Sequence, residues 1–465
     1  MRVLLLLGLV ACALMASCTR HSTAVLAHGR FKAVTVYQPR GKVREVVLLL
    51  SGDGGWQLDT DKMAKVLQEH GAMVLGIDEP ALLASFTQEK SECFFPDGDL
   101  ENLSHYVQAY YHLPTYITPV LGGYSAGATL AYATAAQAPA GIFAGVLTLG
   151  FTPDYASTTP FCKGAGQHFV VRAEGKGLTL LPDPKLALRW VDVHGVEDSV
   201  CPAPAAAAFI AKIHNAHISL VPGVEHDFAD PRRWSAALRA ALDAVTAGTR
   251  AAQAVAPLTL KDLPLIEVPP TGTGNDDLFA VLLSGDGGWA GIDKDVAHSL
   301  AERGIPVVGW DTLRYFWTAR TPDGLTRDLD RTLEYYAGAW NRHRVLLIGY
   351  SQGADVLPFA VNRLPPGART RIVTTTLLGL GRNAAFEFHL SNWVGPADGL
   401  AILPEYRKLS RANTLCVFGS GDTDSLCADF PAGTPGTVEL SGGHHFDGDY
   451  DGLARMILKF AGRAI

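Results

Sequence analysis

The chain of 465 residues exceeds the ~250–300 residues at which a single hydrophobic core stops growing, so its length predicts two domains. Hydrophobic residues make up 48% and charged residues 18% of the composition, which argues against a disordered tail protein or a fibre. The formal net charge of -7 offers no basic field to a phosphate backbone, so we expect no nucleic-acid partner.

The first eighteen residues, MRVLLLLGLVACALMASC, have the pattern of an export signal. Arg2 precedes an apolar run that is shorter than the ~20 residues a membrane-spanning helix needs. The small residues before Cys18 resemble a bacterial lipoprotein cleavage box, and the alternatives are ordinary signal cleavage and a plain buried N-terminal segment. We therefore expect residues 1–18 to be a signal peptide with a lipobox, and the mature protein to be periplasmic and attached to the membrane surface through Cys18.

The later cysteines suit an oxidising compartment. They show no CxxC or Cys/His ligand spacing, so no metal is expected. Cys416 and Cys427 are the only cysteines of the second half and form the first candidate disulfide. The pairing among Cys93, Cys162 and Cys201 stays open.

An internal repeat sets the architecture. The string LLSGDGGW occurs within Val46–Trp56 and again within Ala280–Trp289, and each copy is followed by an amphipathic helix and a second apolar strand. Thr118–Ala135 and Arg344–Val361 then repeat the order strand, sharp turn, helix. The pattern predicts an α/β protein of two tandem domains, residues 30–245 and 257–465, each with a mainly parallel, doubly wound sheet. Residues 246–256 are the predicted linker.

Both halves contain the G-x-S-x-G pattern of a nucleophile elbow, in which glycines allow a strained turn to present a serine. The serines are Ser125 in GYSAG and Ser351 in GYSQG. Alone, the pentapeptide also fits any Gly-Ser turn that closes a βα unit. The context adds an acid, because Asp198 and Asp424 each follow their serine by 73 residues and each begins a D-S-[VL]-C string. The rival acids are Asp192, Glu197 and Asp422.

A histidine follows each acid, as the order serine, acid, histidine requires. The first half offers His226, and the second offers His444 and His445. Aligning the preceding glycines favours His445, whereas aligning the following phenylalanines favours His444; we prefer His445. The expected oxyanion donors are the backbone N–H after the serine, at Gln352 or Ala126, and the Gly-rich loop with Asp286 and Gly287.

The SGDGGW loop, LRYFWTARTP at Leu313–Pro322, GYSQGADVLPF and GGHHFDGDY together resemble the VirJ/AcvB family of exported bacterial proteins, and the two-copy length resembles the AcvB type. The resemblance implies an α/β-hydrolase fold and hydrolysis of aminoacylated phosphatidylglycerol, such as the lysyl or alanyl ester, with links to virulence and type IV secretion. It makes Ser351, Asp424 and His445 the matching catalytic residues. It also implies a membrane phospholipid substrate, secretion-system components as partners, and no cofactor.

Because LRYFWTARTP occurs only in the second half, we expect that half to be the main catalyst and Ser125, Asp198 and His226 to form a second triad or a binding module. Arginine and aromatic side chains suit a lipid phosphate and an interface, so the expected substrate-binding residues are Arg314, Tyr315, Trp317 and Arg320. The alternative for this string is a buried aromatic cluster with its arginines in solvent. The alternative functions are a generic esterase, lipase or peptidase, and a non-catalytic periplasmic adaptor or chaperone.

Overall fold

The structure is a computed structural model. It describes residues 22–88, 93–139, 141–157, 159–162, 166, 168–172, 177–252, 260–274, 277–388, 399–431, 433–434 and 436–462. The predicted signal peptide, its Cys18 and the end of the predicted linker lie outside the described residues.

The first half alternates strands and helices. Its strands are β1 (Ser22–His28), β2 (Phe31–Gln38), β3 (Glu45–Leu50), β4 (Ala72–Ile77), β5 (Val120–Tyr124), β6 (Gly145–Leu149), β7 (Asp154–Tyr155), β8 (Phe169–Val171), β9 (Leu178–Leu180), β10 (Trp190–Gly195) and β11 (Ala216–Val221). Its helices are α1 (Leu58–Glu69), α2 (Glu79–Gln88), α3 (Asp97–Tyr110), α4 (Ala126–Gln137), α5 (Ala203–Ile210) and α6 (Pro231–Ala252).

The second half repeats this alternation. Its strands are β12 (Leu265–Val268), β13 (Leu278–Leu283), β14 (Val307–Trp310), β15 (Arg344–Tyr350), β16 (Ile372–Leu378), β17 (Asn383–Ala384), β18 (Leu400–Ala401), β19 (Thr414–Gly419) and β20 (Thr437–Leu440). Its helices are α7 (Gly291–Glu302), α8 (Thr312–Phe316), α9 (Pro322–Trp340), α10 (Gln352–Arg363), α11 (Pro366–Arg369), α12 (Leu403–Tyr406) and α13 (Tyr450–Phe460), with short 3-10 helices at Arg411–Asn413, Leu426–Asp429 and Phe446–Gly448.

Each half has its own large sheet. The first runs in the order β1-β2-β4-β3-β5-β6-β10-β11 and the second in the order β12-β14-β13-β15-β16-β19-β20. The strands are parallel except at one edge, where β1, β2 and β12 pair antiparallel. The two orders coincide when β2 is matched with β12, so both halves have the predicted α/β-hydrolase arrangement of a mainly parallel sheet between helices.

Burial on both faces explains the apolar strands. Every residue of β3 is buried, as is typical of a parallel strand covered by helices on each side. Successive side chains alternate between two apolar clusters, with Leu48 in one and Leu49 in the other. The second half also has two clusters, which receive Val281 and Leu282 of β13.

Two boundaries differ from the sequence prediction. The first sheet begins at Ser22 rather than at residue 30, because β1 pairs with β2 along its length. Helix α6 continues to Ala252, through the first seven residues of the predicted linker. That stretch, TAGTRAA, has no proline to stop the helix before Pro257.

The described part of the chain contains two disulfides. Cys416 is bonded to Cys427, the pair that the sequence favours, and Cys93 is bonded to Cys162. Cys201 is a buried free thiol. No helix among the described residues is both long enough and apolar enough to span a bilayer.

Candidate active site

The serine of the first half lies on a strained turn. Ser125 follows β5 and precedes α4 with φ +54° and ψ −121°, a conformation that side chains rarely adopt. The turn is tight, since a Cβ added to Gly123 would collide with the backbone of Gly127. The amide of Ser125 donates to the carbonyl of Leu149 at 3.0 Å. The strand, turn and helix therefore form the nucleophile elbow expected from GYSAG.

A complete hydrogen-bonded chain leads away from Ser125. Nε2 of His226 is 2.9 Å from Oγ of Ser125, and Nδ1 of His226 is 2.8 Å from Oδ2 of Asp198. The other carboxylate oxygen of Asp198 accepts the N–H groups of Val200 and Cys201 at 3.0 and 2.7 Å. Asp198 is buried, whereas His226 is partly exposed. This is the geometry of an acid that orients a base beside a nucleophile.

A second histidine, which the sequence reasoning missed, supports this acid. His194 is fully buried, with Nδ1 2.7 Å from Oδ2 of Asp192, and Nε2 2.7 Å from the carbonyl of Cys201 and 3.8 Å from Oδ2 of Asp198. Burial alone lowers the pKa of His194, but the hydrogen bond and charge of Asp192 outweigh it, so the net pKa is raised. Its only signal in the sequence is an Asp-x-His pattern within a buried strand.

The serine of the second half has the same backbone but different contacts. Ser351 has φ +51° and ψ −120°, and its amide donates to Leu378 at 2.9 Å. Among the described residues, no hydrogen bond joins its Oγ to His444 or His445. Nδ1 of His444 is instead 2.6 Å from Oδ2 of Asp422, and Nδ1 of His445 is 3.1 Å from the hydroxyl of Tyr350.

Asp424 and His445 are not brought together, which corrects the predicted pairing. Asp424 is 88% exposed and lies 3.5 Å from Nε of Arg382. The position of the acid depends on its distance from the end of the preceding strand. The amide of Asp198 donates to the carbonyl of Gly195, and the amide of Asp422 donates to the carbonyl of Gly419. The D-S-[VL]-C string lies two residues farther from the strand end in the second half, so equal spacing selects the wrong acid.

The matching histidines of the two halves are also identified by a nearby structural feature. His226 lies two residues before Phe228, and His444 lies two residues before Phe446. Both phenylalanines are buried with positive φ, 48° and 53°. The alignment through phenylalanine therefore selects the structural counterpart, His444, and the preferred His445 is exposed.

The Gly-rich loops lie over the serines. A Cβ on Gly52 would be 3.3 Å from Cβ of Ser125, and a Cβ on Gly285 would be 3.4 Å from Cβ of Ser351. Ala126 and Gln352 begin α4 and α10, where helix N–H groups lack intrahelical acceptors.

The predicted loop residues Asp286 and Gly287 are placed differently. Asp286 is exposed, and a Cβ on Gly287 would meet Oε1 of Glu101 in the first half. Gly285 is therefore the glycine that approaches Ser351 directly, and the oxyanion role of Asp286 and Gly287 stays a prediction.

The string LRYFWTARTP contributes to the contact between the halves. Nε1 of Trp317 donates to the carbonyl of Leu113 at 2.5 Å, and its ring packs on Tyr116 and Phe388. Nη2 of Arg314 donates to Oγ1 of Thr118 at 3.0 Å. These side chains therefore hold the first half, and their expected substrate contacts gain no support from the structure.

The other two predicted substrate residues form an internal contact. Tyr315 is buried and donates to Asp328 at 2.6 Å. Arg320 lies 4.6 Å from the centroid of the Tyr315 ring. Tyr315 therefore matches the alternative of a buried aromatic cluster, whereas Arg320 is only half-buried and also lines a cleft between the halves.

Solved structures with some likeness to the chain include two hydrolases. A lidless α/β serine hydrolase from Xanthomonas campestris is 19% identical, with 51% of this chain and 98% of that chain covered and a TM-score of 0.31. A dienelactone hydrolase from Anabaena variabilis is 18% identical, with 48% and 94% covered and a TM-score of 0.32. Likeness of this size carries no argument, and the fold assignment stands on strand order and connectivity.

A search of the curated proteins finds no match to the chain. The model of the family described as "Bacterial virulence protein (VirJ)" matches residues 44–151 and 277–464. These regions cover well over half of the chain and include both serine elbows, so the chain belongs to the VirJ family of bacterial virulence proteins.

Proposed function

We propose that the chain is a serine hydrolase that cleaves a carboxylic ester through an acyl-enzyme, with Ser125 as its assembled nucleophile. The observation that carries the proposal is the position of His226, within hydrogen-bond distance of both Ser125 and Asp198. The family model matches both halves, which supports an architecture of two copies. The proposal moves the main site from the second half, where the resemblance places it, to the first.

The reaction follows from these contacts. His226 takes the proton of Ser125 as its oxygen attacks the ester carbonyl, while Asp198 stabilises the imidazolium that forms. The N–H of Ala126 and the loop at Gly52 receive the developing oxyanion. His226 then gives its proton to the leaving alcohol, and water releases the acyl group by the same steps.

The second half supplies a further nucleophile, Ser351, with His444 and Asp422 as its base and acid. Catalytic hydrogen bonds are often long without substrate and shorten when it binds. Turnover at Ser351 therefore requires His444 to move toward the serine.

The substrate we propose is the aminoacyl ester of aminoacylated phosphatidylglycerol. Membership of the family and the motifs that resemble its AcvB type support this choice. Purified protein mixed with lysyl- and alanyl-phosphatidylglycerol should release the amino acid and leave phosphatidylglycerol, as a lipid profile would measure. Retention of both lipids with cleavage of simple esters would make the chain a generic esterase instead.

A fluorophosphonate probe tests the chemistry without choosing a substrate. We expect labelling of the wild type at Ser125, loss of that label in Ser125→Ala, and its retention in Ser351→Ala. Removing a triad serine costs ~10⁶ in rate in a well-studied protease, so the difference should be large. Labelling at Ser351 alone would return the main site to the second half, and no labelling of a folded protein would favour the adaptor.

A membrane substrate is reached most readily by an enzyme tethered beside it, so the proposal includes a periplasmic location and lipidation of Cys18. The native protein should fractionate with membranes, and Cys18→Ser should release it or block its processing. Wild-type protein recovered wholly in the periplasmic fraction, with Cys18 absent from its N-terminus, would contradict the tether.

A further inference from the structure

A cleft of about 740 Å³ lies between the two halves. Its walls include Tyr116 and Phe143 from the first half and Ile266 and the loop Gly287–Trp289 from the second. The serines, histidines and acids of both candidate sites are not among its lining residues. The cleft is therefore separate from the chemistry described above, although its Gly-rich loop also faces Ser351.

The cleft has an excess of cations. Four basic side chains line it without a carboxylate within 4.0 Å in the part of the chain that the structure describes: Arg189, Lys261, Lys294 and Arg320. Lys294 reaches across from the second half, and its Nζ would be 2.9 Å from a Cβ added to Gly141. Burial lowers the pKa of Lys294, and the charges of Asp295, Asp311 and Asp293 oppose this shift only in part.

The carboxyl groups of the cleft are already engaged or neutral. Asp262 accepts hydrogen bonds from Arg331, whose guanidinium lowers the pKa of Asp262. Asp311 is 3.3 Å from Nε of Arg314 and also accepts the Arg314 amide at 3.0 Å. Burial raises the pKa of Glu101 to about 8, so this group is mostly protonated at neutral pH. None of the four cations therefore has a carboxylate partner within 4.0 Å among the described residues, although the charge of Asp295 still acts on Lys294.

Size and lining define the ligand class. The volume lies within the ~300–1,000 Å³ range of small-molecule sites and far exceeds what an inorganic ion fills. Aromatic and aliphatic walls suit an apolar or ring portion, and arginine and lysine together suit phosphate oxygens.

We propose that this cleft binds a phosphate ester, with its phosphate held by Lys294 and by cations of the same lining, Lys261, Arg189 and Arg320, and its organic portion packed on Tyr116 and Trp289. The ester is either a soluble metabolite or the head group of a lipid, because the recognising chemistry is the same. Bound there, the ligand contacts both halves at once and one side of the Gly-rich loop of the second.

Phenyl phosphate is a suitable probe, with phenol as its neutral analogue. In calorimetric titrations of the full chain at low ionic strength, we expect phenyl phosphate to bind and phenol to bind at least tenfold more weakly. Lys294→Ala and Lys261→Ala should each weaken phenyl phosphate about 10- to 100-fold, and Lys294→Arg should retain binding. Lys32→Ala, an exposed lysine on β2 outside the cleft, is the matched control and should have no effect.

A second arm distinguishes the source of the phosphate. Co-sedimentation with phosphatidic acid vesicles but not with phosphatidylcholine vesicles, lost in Lys294→Ala, would support a lipid head group. The proposal is overturned if the wild type binds neither phenyl phosphate nor phosphatidic acid, or if Lys32→Ala weakens binding as much as Lys294→Ala. Thermal unfolding of each variant establishes that a loss of binding is not a loss of fold.

Discussion

At the scale of single residues, two positions along a loop decide which carboxylate meets the histidine. Asp422 contacts His444, while Asp424, two residues later, is exposed beside Arg382. A side chain at the end of a parallel strand points into the site only at a particular distance from that end. The acid of the second half is therefore set by its distance from Gly419 and not by its distance from Ser351.

This difference predicts the effect of two matched substitutions. Asp422→Asn should slow fluorophosphonate labelling of Ser351, by as much as the ~10⁴ seen when the acid of a protease triad is replaced. Asp424→Asn should leave the rate within about twofold, because its exposed carboxylate reaches only Arg382. The labelling rate of Ser351 in a Ser125→Ala background measures both, and a large loss from Asp424→Asn alone would restore the pairing inferred from the sequence.

His194 marks a second difference between the halves. Strand register places Asp192 beside Thr148 and Thr148 beside Gly123, just as Cys416 lies beside Leu377 and Leu377 beside Gly349. Asp192 thus corresponds to Cys416, and His194 to Phe418. The buried Asp-His pair that supports Asp198 is absent from the described residues of the second half.

We expect His194→Phe to lower ester hydrolysis at Ser125 about 10- to 100-fold, because Asp192 and the Cys201 carbonyl lose a buried partner. The raised pKa of His194 means that its positive charge persists above the ordinary value of 6.5 and disappears as the pH rises through the folded-state pKa. The stability that protonated His194 contributes is complete below the pKa of this group in the unfolded chain, and it is lost as the pH rises through the folded-state pKa.

The pH–rate profile of kcat/KM separates a positioning role from simple destabilisation. The wild type should show one more titration, above pH 6.5, than His194→Phe. Phe418→Leu, at the matching position of the second half, is the control and should keep the wild-type profile. Identical profiles for wild type and His194→Phe would contradict the role.

At the scale of elements, the Cys416–Cys427 disulfide joins strand β19 to the 3-10 helix Leu426–Asp429 across the turn that contains Asp422. Closing a loop of 11 residues restricts the unfolded chain. The bond therefore stabilises the strand end from which the acid projects.

Replacing both cysteines of this pair by serine should lower the free energy of unfolding by roughly 2–3 kcal/mol. The same change at Cys93 and Cys162 should cost more, because that bond closes a separation of 69 residues. Urea unfolding curves of the two double variants measure the order. An unchanged curve for the Cys416 and Cys427 variant would show that the bond does not stabilise the native protein.

At the scale of the whole molecule, the two halves are joined by side chains that are specific to the second. Trp317 donates to Leu113 and packs on Tyr116, and His105 of the first half packs against Phe388. The second half thus presents a surface to the first, and the cleft lies beside it.

Trp317→Ala should weaken this contact and uncouple the halves. The decrease in the free energy of unfolding should approach the lower end of the ~3–5 kcal/mol typical of large aromatic truncations, since Trp317 is only half-buried. Calorimetry should then show two thermal transitions in place of a more cooperative one. Trp340 packs on Phe279 and Tyr336 within the second half. Trp340→Ala is therefore the matched control, and it should lower the temperature of unfolding without separating the unfolding of the two halves.

The sequence by itself determined the two α/β halves, both serine elbows and the membership of Ser125, Asp198 and His226 in one site. These features follow from local patterns: apolar strands, glycines at tight turns, and the chain order of an acid and a histidine after each serine. They are short-range in sequence or repeated twice, so pattern and repeat reinforce one another.

Only the tertiary structure decided that His226 reaches Ser125 while His444 does not reach Ser351, that Asp422 replaces Asp424, and that the string around Trp317 joins the halves. A two-residue shift in a loop leaves a repeated string intact but changes which side chain points at a neighbour. A family-specific string identifies a surface with a particular role, but not the partner of that surface. Whether the string contacts a substrate or another domain depends on which distant parts of the chain pack against it in the folded protein.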